Sequence, residues 1–356
     1  MITYPALAKR SCRTRLAHRA LGALAVAVLL SAGTPLPGAA QSGAAALDSS
    51  LNQLVHPPGT AVGMTGTLGN VTVVGDGPVD VLVIPGWGFG AREFESFARA
   101  HRREYRFVIA TLPGFAGTSP PPMPTAGTSY GEATWMRASE AALLKVFETH
   151  QLHSPIVLGH FVIGTQLGVR LAAQHPAKVR GLLVMGGEPM RWVASPGDPG
   201  GKTQASPAER AKLVDERLAE RWFKFVTKAT FDFNNYRPPQ YSLDPELGAR
   251  RWQAVADAPL PTLIRYLCEY TATDYADAYA TLRVPTVVLR PEFSAAVLSD
   301  TLQRYVKPLL IASWDRVRVL NPRIDIVDVP RSGIFVTDDQ PQTVEAALRR
   351  LAKASP

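Results

Sequence analysis

Ser154-Pro155-Ile156-Val157-Leu158-Gly159-His160-Phe161-Val162-Ile163-Gly164 is the stretch that decides the architecture. Its first half is a short, uninterrupted apolar run, the pattern of a strand covered on both faces. A turn bounded by glycines follows, and over 165–175 apolar residues recur at the spacing of a helix packed on a sheet. Strand–turn–helix units of this kind, repeated along a chain, build a parallel sheet with right-handed crossovers.

The unit recurs on both sides. Upstream, 80–84 is an apolar run ending in Pro85-Gly86-Trp87-Gly88-Phe89-Gly90, with a helix from Arg92. Residues 105–111 form another such run, entering Leu112-Pro113-Gly114-Phe115-Ala116-Gly117-Thr118-Ser119, and 132–149 has helical periodicity. Downstream, 179–185 is the next strand. The rhythm then breaks: 188–282 is mostly helical, with a long amphipathic stretch over 207–230 that carries Trp222, Phe223 and Phe225. It resumes with strands at 285–289 and 324–329 and closes on a helix over 341–354. At the front, 64–68 and 71–74 read as strands joined by the turn dipeptide Gly69-Asn70. The expectation is an α/β fold: an eight-stranded, mostly parallel sheet built from 41–187 and 283–356. The helical cap of 188–282 is expected over the sheet's C-terminal edge, where open α/β folds place ligands.

The first forty residues read as an export signal. Lys9, Arg10, Arg13, Arg15 and Arg19 precede an apolar run over 20–30, too short for the ~20 residues of a membrane span. Pro35 and Pro37 end that run, and Gly38-Ala39-Ala40 has the small-x-small pattern of a signal peptidase site. The expected location is periplasmic or secreted, with no stable membrane insertion after cleavage. The whole chain carries 38 Lys and Arg against 30 Asp and Glu, and the five cations leave with the signal. The mature chain is therefore close to neutral and gives no sign of a nucleic-acid partner. Cys268 would stand alone after cleavage, which excludes an intrachain disulfide.

Four pieces in this order, each closing a strand, carry a resemblance. They are Pro85-Gly86-Trp87-Gly88, the loop 112–119, Gly159-His160-Phe161, and Gly333-Ile334-Phe335-Val336 followed by Asp339-Gln340-Pro341. Together they resemble the oxyanion loop, the G-x-G-x-S loop, the nucleophile elbow and the histidine segment of the α/β-hydrolase superfamily, over essentially all of the mature chain. The resemblance implies a nucleophile, a base and an orienting acid. It places them at Phe161, Ile334 and Ser294, respectively. Phenylalanine has no reactive lone pair and isoleucine accepts no proton. Moreover, all seven histidines lie at or before His175, although the fold draws its base from near the C-terminus. No catalytic residue is expected at these positions.

Two groups stand near the site as weak substitutes: His160 beside the elbow, and Glu188 after the next strand, where some family members carry a relocated acid. Asp338 and Asp339 read as N-terminal charges on the last helix. A bulky residue is unfavourable at the positive φ of an elbow, so the turn is expected to have relaxed. The resemblance assigns oxyanion donors to the backbone N–H groups of Trp87 and Val162. Trp87, Phe161, Val162, Ser294 and Ile334 would then line a pocket for a small apolar ligand bearing a carbonyl or carboxylate. No metal-ligand cluster and no cofactor motif are visible. Three readings stay open: a ligand-binding pseudoenzyme, an enzyme acting through His160, Glu188 and the oxyanion donors, and an interaction protein using the cap surface. The sequence is silent on oligomeric state.

Overall fold

A computed structural model describes residues 68–189, 193, 195, 204–301 and 306–354. Seven strands among the described residues form one sheet in the order β1-β3-β2-β4-β5-β6-β7. They are β1 (Asn70–Val74), β2 (Val79–Ile84), β3 (Tyr105–Thr111), β4 (Ile156–His160), β5 (Gly181–Met185), β6 (Thr286–Pro291) and β7 (Asp325–Val329). From β2 to β7 every pairing is parallel, and β1 joins β3 antiparallel at the edge. The central strands β4 and β5 are buried along their whole length, which is why their sequence is continuously apolar rather than alternating.

The expected strand at 64–68 falls, apart from Leu68, outside the described residues. Gly69-Asn70, expected as a hairpin turn, is part of a ladder instead. The Gly69 N–H donates to the Thr111 carbonyl (3.0 Å), and Asn70 pairs with Thr111 in register. Long-range pairing with β3 overrides the local turn preference. Glycine is needed there for close approach, since a Cβ at Gly69 would meet the Thr118 side chain, its Cβ 2.9 Å away.

Helices Arg92–Ala100, Thr134–Thr149 and Ile163–Gln174 supply the crossovers, and Pro341–Lys353 closes the chain. In this topology each helix runs back against its strand, so the C-terminal strand ends gather at one edge of the sheet. Between β5 and β6 the described chain is helical from Pro207 onward, but not as one amphipathic rod. A π-helical turn at Val214–Leu218 interrupts Pro207–Leu213 and Ala219–Phe225, and Thr227 caps a fresh helix at Lys228–Asn234. Helices Pro245–Asp257 and Leu260–Ala272 follow.

This helical segment lies over the end where β2 and β4 finish. The Trp87 indole N–H donates to the Leu263 carbonyl (3.0 Å), and the Phe161 and Tyr236 rings meet edge to face at 5.3 Å. A second anchor is buried. Glu269 accepts from the backbone N–H groups of Trp135 and Met136 and from the Thr134 hydroxyl, so its carboxylate sits on the positive end of helix Thr134–Thr149. Arg265, one turn earlier, pairs with it at 2.9 Å and lies 4.2 Å over the Tyr130 ring.

Candidate functional site

Four strand ends compose the site. β2 delivers Pro85-Gly86-Trp87, β4 delivers His160-Phe161-Val162, β5 delivers Gly186-Gly187-Glu188, and the loop after β7 delivers Gly333-Ile334-Phe335. The β4 turn has not relaxed. Phe161 has φ 40° and Val162 has φ 53° with ψ −98°, and the helix begins at Ile163. Two consecutive non-glycine residues at positive φ cost on the order of 1–3 kcal/mol each, so the surroundings must hold them. Gly86 and Gly164 do this through close approach. A Cβ at Gly86 would lie 2.6 Å from the Phe161 Cβ, and one at Gly164 would strike the Ile84 carbonyl. The Phe161 N–H is also fixed, donating to the Met185 carbonyl (3.2 Å).

The residue next to the helix, at the strained apex, is Val162, and Gly164 is the small residue two places on. Motif alignment puts the nucleophile position at Phe161, whereas backbone geometry puts the apex one residue later. Neither side chain carries a nucleophilic atom. The Trp87 N–H, which the resemblance assigns to oxyanion binding, donates to the Phe161 carbonyl (3.3 Å). That donor is engaged within the turn itself.

His160 is fully buried in a box of aromatic rings. Its ring centroid is 4.4 Å from that of Phe335, 5.1 Å from Phe94 and 5.6 Å from Phe89. Neither ring nitrogen makes a hydrogen bond of ordinary geometry, and only the Ile334 backbone offers the ring a weak one. Burial pushes its pKa down from 6.5 to about 3, against a smaller opposing effect of the Ile334 backbone and with a further push from the Arg251 charge. An imidazole held neutral and sealed from water is a poor proton acceptor for any substrate.

Phe161 and Ile334 reach the same strand end. Met185 accepts from Phe161, and Gly186, at φ 63°, packs on the Ile334 carbonyl. Both side chains are 0% exposed. The loop that carries Ser294 lies beside the Ile334 loop, the Phe293 N–H donating to the Ser332 carbonyl (3.0 Å). Ser294 is partly exposed and caps helix Ala295–Ser299, its hydroxyl accepting from the Val297 N–H (3.3 Å). Glu188 is wholly buried, close enough to Tyr279 to help raise that hydroxyl's pKa. Of the residues expected to line a pocket, Phe161 and Ile334 expose no water-sized surface, while Trp87 and Val162 are also buried. Rings of Phe89, Tyr236 and Tyr241 occupy the space around Phe161, with centroids 5.3 to 6.2 Å away.

The residues that close the site were not legible as such. Asp338 and Asp339, expected as helix-end charges, instead tie the histidine-segment loop to the helical segment. Arg251 donates to both oxygens of Asp338, at 3.0 and 2.9 Å, and its guanidinium lies 4.6 Å over the Phe335 ring. Asp339 accepts from the Ser242 hydroxyl (2.8 Å), the Leu243 N–H (2.9 Å) and the Gly333 N–H (2.7 Å). Backbone bonds from Ile334 N–H to the Gln240 carbonyl and from Phe335 N–H to the Tyr241 carbonyl, both 2.8 Å, complete the seam. The sequence held one hint of such buried ionic anchors: Arg265 and Glu269 stand at i,i+4 spacing on an otherwise apolar helix.

Comparison with known proteins agrees with this architecture. Residues 81–347 match the model of the alpha/beta hydrolase family. No curated protein matches the sequence. Among solved structures, a thermophilic esterase from Thermogutta terrifontis is similar at 17% identity and TM-score 0.55, covering 80% of this chain and 92% of its own. MenH from S. aureus is similar at 13% identity and TM-score 0.58, covering 80% and 97%. A hydrolase from Oleispira antarctica is similar at 10% identity and TM-score 0.56, covering 82% and 97%. At these identities the likeness is one of fold. The family match spans most of the described sheet and the four strand ends of the site, and the chain belongs to the alpha/beta hydrolase family.

Proposed function

We propose that this chain is an exported, non-catalytic member of the family that acts by binding through its surface, its former reaction site having become part of the core. One observation carries the reading. Phe161, His160 and Ile334 are fully buried, and the Phe161 carbonyl takes the N–H that would face a substrate oxygen. Hydrolysis needs a nucleophile, a base and free oxyanion donors in one accessible place. The turn offers apolar side chains, a sealed neutral imidazole and an engaged donor. The same burial weakens the small-ligand reading, because a ligand must displace packed rings to reach the expected lining residues. Export is supported by the basic and apolar character of residues 9–30 and the Gly38-Ala39-Ala40 site.

The test is direct. The purified protein should not be labelled by fluorophosphonate probes and should not hydrolyse aryl esters above background. Labelling of any serine, Ser119 or Ser332 included, would overturn the reading. N-terminal sequencing of the exported protein should begin at Gln41.

A further inference from the structure

The end of the sheet opposite the closed site carries an unabsorbed feature. Helix Ser313–Leu320 ends there with Val319 84% exposed and Leu320 42% exposed, among the most exposed large apolar side chains of the described residues. They do not stand in isolation. Asn321, just past the helix, donates its amide to the Tyr279 and Leu282 carbonyls (3.0 and 2.9 Å), fixing the tip against the lead-in to β6. Arg323 donates to the same Leu282 carbonyl (3.0 Å). Arg318 precedes the tip on the same helix, Arg323 follows it and Arg283 adjoins the Leu282 carbonyl that holds it; all three are exposed, and Arg318 also acts on the Asp328 carboxylate. Asp325, at the start of β7, is paired with Arg350. Along the same edge Arg180 donates to the Ala352 carbonyl (3.2 Å), with exposed Lys178 before it and Lys353 after Ala352.

We propose that this edge docks on an anionic lipid bilayer, with Val319 and Leu320 entering the interface and the arginines contacting headgroup phosphates. Apolar side chains ringed by cations are what an interfacial anchor requires, since burial of the tip and attraction to anionic lipid add. A nucleic acid fits less well. Exposed aliphatic side chains offer no stacking platform for bases and no hydrogen-bonding groups to read base edges.

Co-sedimentation of the exported form, which begins at Gln41, with vesicles tests this. Binding should be strong to phosphatidylcholine vesicles containing roughly one-third phosphatidylglycerol, weak to pure phosphatidylcholine, and reduced by high salt. Arg283→Glu with Arg318→Glu should weaken binding at least about tenfold, and Val319→Ser with Leu320→Ser by a similar factor. All four positions are exposed, so melting temperatures should stay unchanged. Every variant begins at Gln41, because the basic and apolar run over 9–30 would bind anionic vesicles by itself. Equal binding of both variants and the parent would overturn the proposal. So would a duplex DNA oligonucleotide bound as tightly as the anionic vesicles at the same ionic strength.

Discussion

His160 shows how one side chain can be read in two ways at the residue scale. By position it was the nearest replacement base, while by environment it is an imidazole whose protonation the fold resists. Its pKa in the folded chain, about 3, lies well below the 6.5 of a free histidine. The unfolded chain therefore takes up a proton below about pH 6.5 that the folded chain refuses until about pH 3. Stability linked to His160 is complete above that window and is lost as pH falls through it, with a slope of at most ~1.4 kcal/mol per pH unit. Urea midpoints of the parent should fall between pH 7 and pH 4, and His160→Phe should flatten that fall. An unchanged slope in the variant would mean that His160 is hydrated after all. The strained pair Phe161 and Val162 carries the complementary lesson. Relaxation was expected from the side chains alone, but the backbone is held by close approaches at Gly86 and Gly164, and those contacts persist with two apolar side chains on the turn.

Between elements, the seam joining the helical segment to the histidine-segment loop concentrates polar interactions in few residues. Arg251→Ala should destabilise by about 3 kcal/mol, because it leaves the largely buried Asp338 carboxylate without its partner and removes the stack on Phe335. Asp339→Ala frees three donors and should cost about 2 kcal/mol or more. It should also raise hydrogen exchange over 238–243 ahead of the sheet, whereas uniform exchange across the molecule would show that the seam does not open separately. These partners sit far apart in sequence, and no periodicity announces them. The strands were legible for the opposite reason, since each is a local apolar run whose burial on both faces writes itself into consecutive residues. Expected and observed bounds agree for 105–111, and elsewhere differ by a residue or two. The front of the chain failed because Gly69-Asn70 has a local preference that a distant partner, Thr111, overrides. Helix Pro207–Phe225 was legible as amphipathic, but its π-turn was not.

At the scale of the whole molecule, catalysis in this fold depends on several strand ends presenting their groups to one cavity, and here each end has been committed to packing. Phe161 engages Trp87 and Met185, Ile334 is bonded to Gln240, and Ser294 serves as a helix cap. Replacing only the side chains should therefore not restore a reaction. The combined variant Val162→Ser, Ser294→Asp, Ile334→His, with the serine at the apex of the turn, is expected to fold with reduced stability, because two buried apolar groups become polar without prepared partners. It is expected to remain inert to fluorophosphonate and to aryl esters. A nucleophile on this turn needs a base within hydrogen-bond reach and free oxyanion donors. The Trp87 N–H is engaged by a backbone carbonyl, that of Phe161, and a side-chain replacement does not remove that acceptor. Adding Asp339→Ala to loosen the seam tests whether access or geometry is limiting. Activity appearing only in that fourfold variant would show that the site is intact but shut. Labelling at position 162 in the threefold variant would show that the strand ends still converge on one reactive place, and would return the molecule to the class of hydrolases that have merely lost their reacting groups.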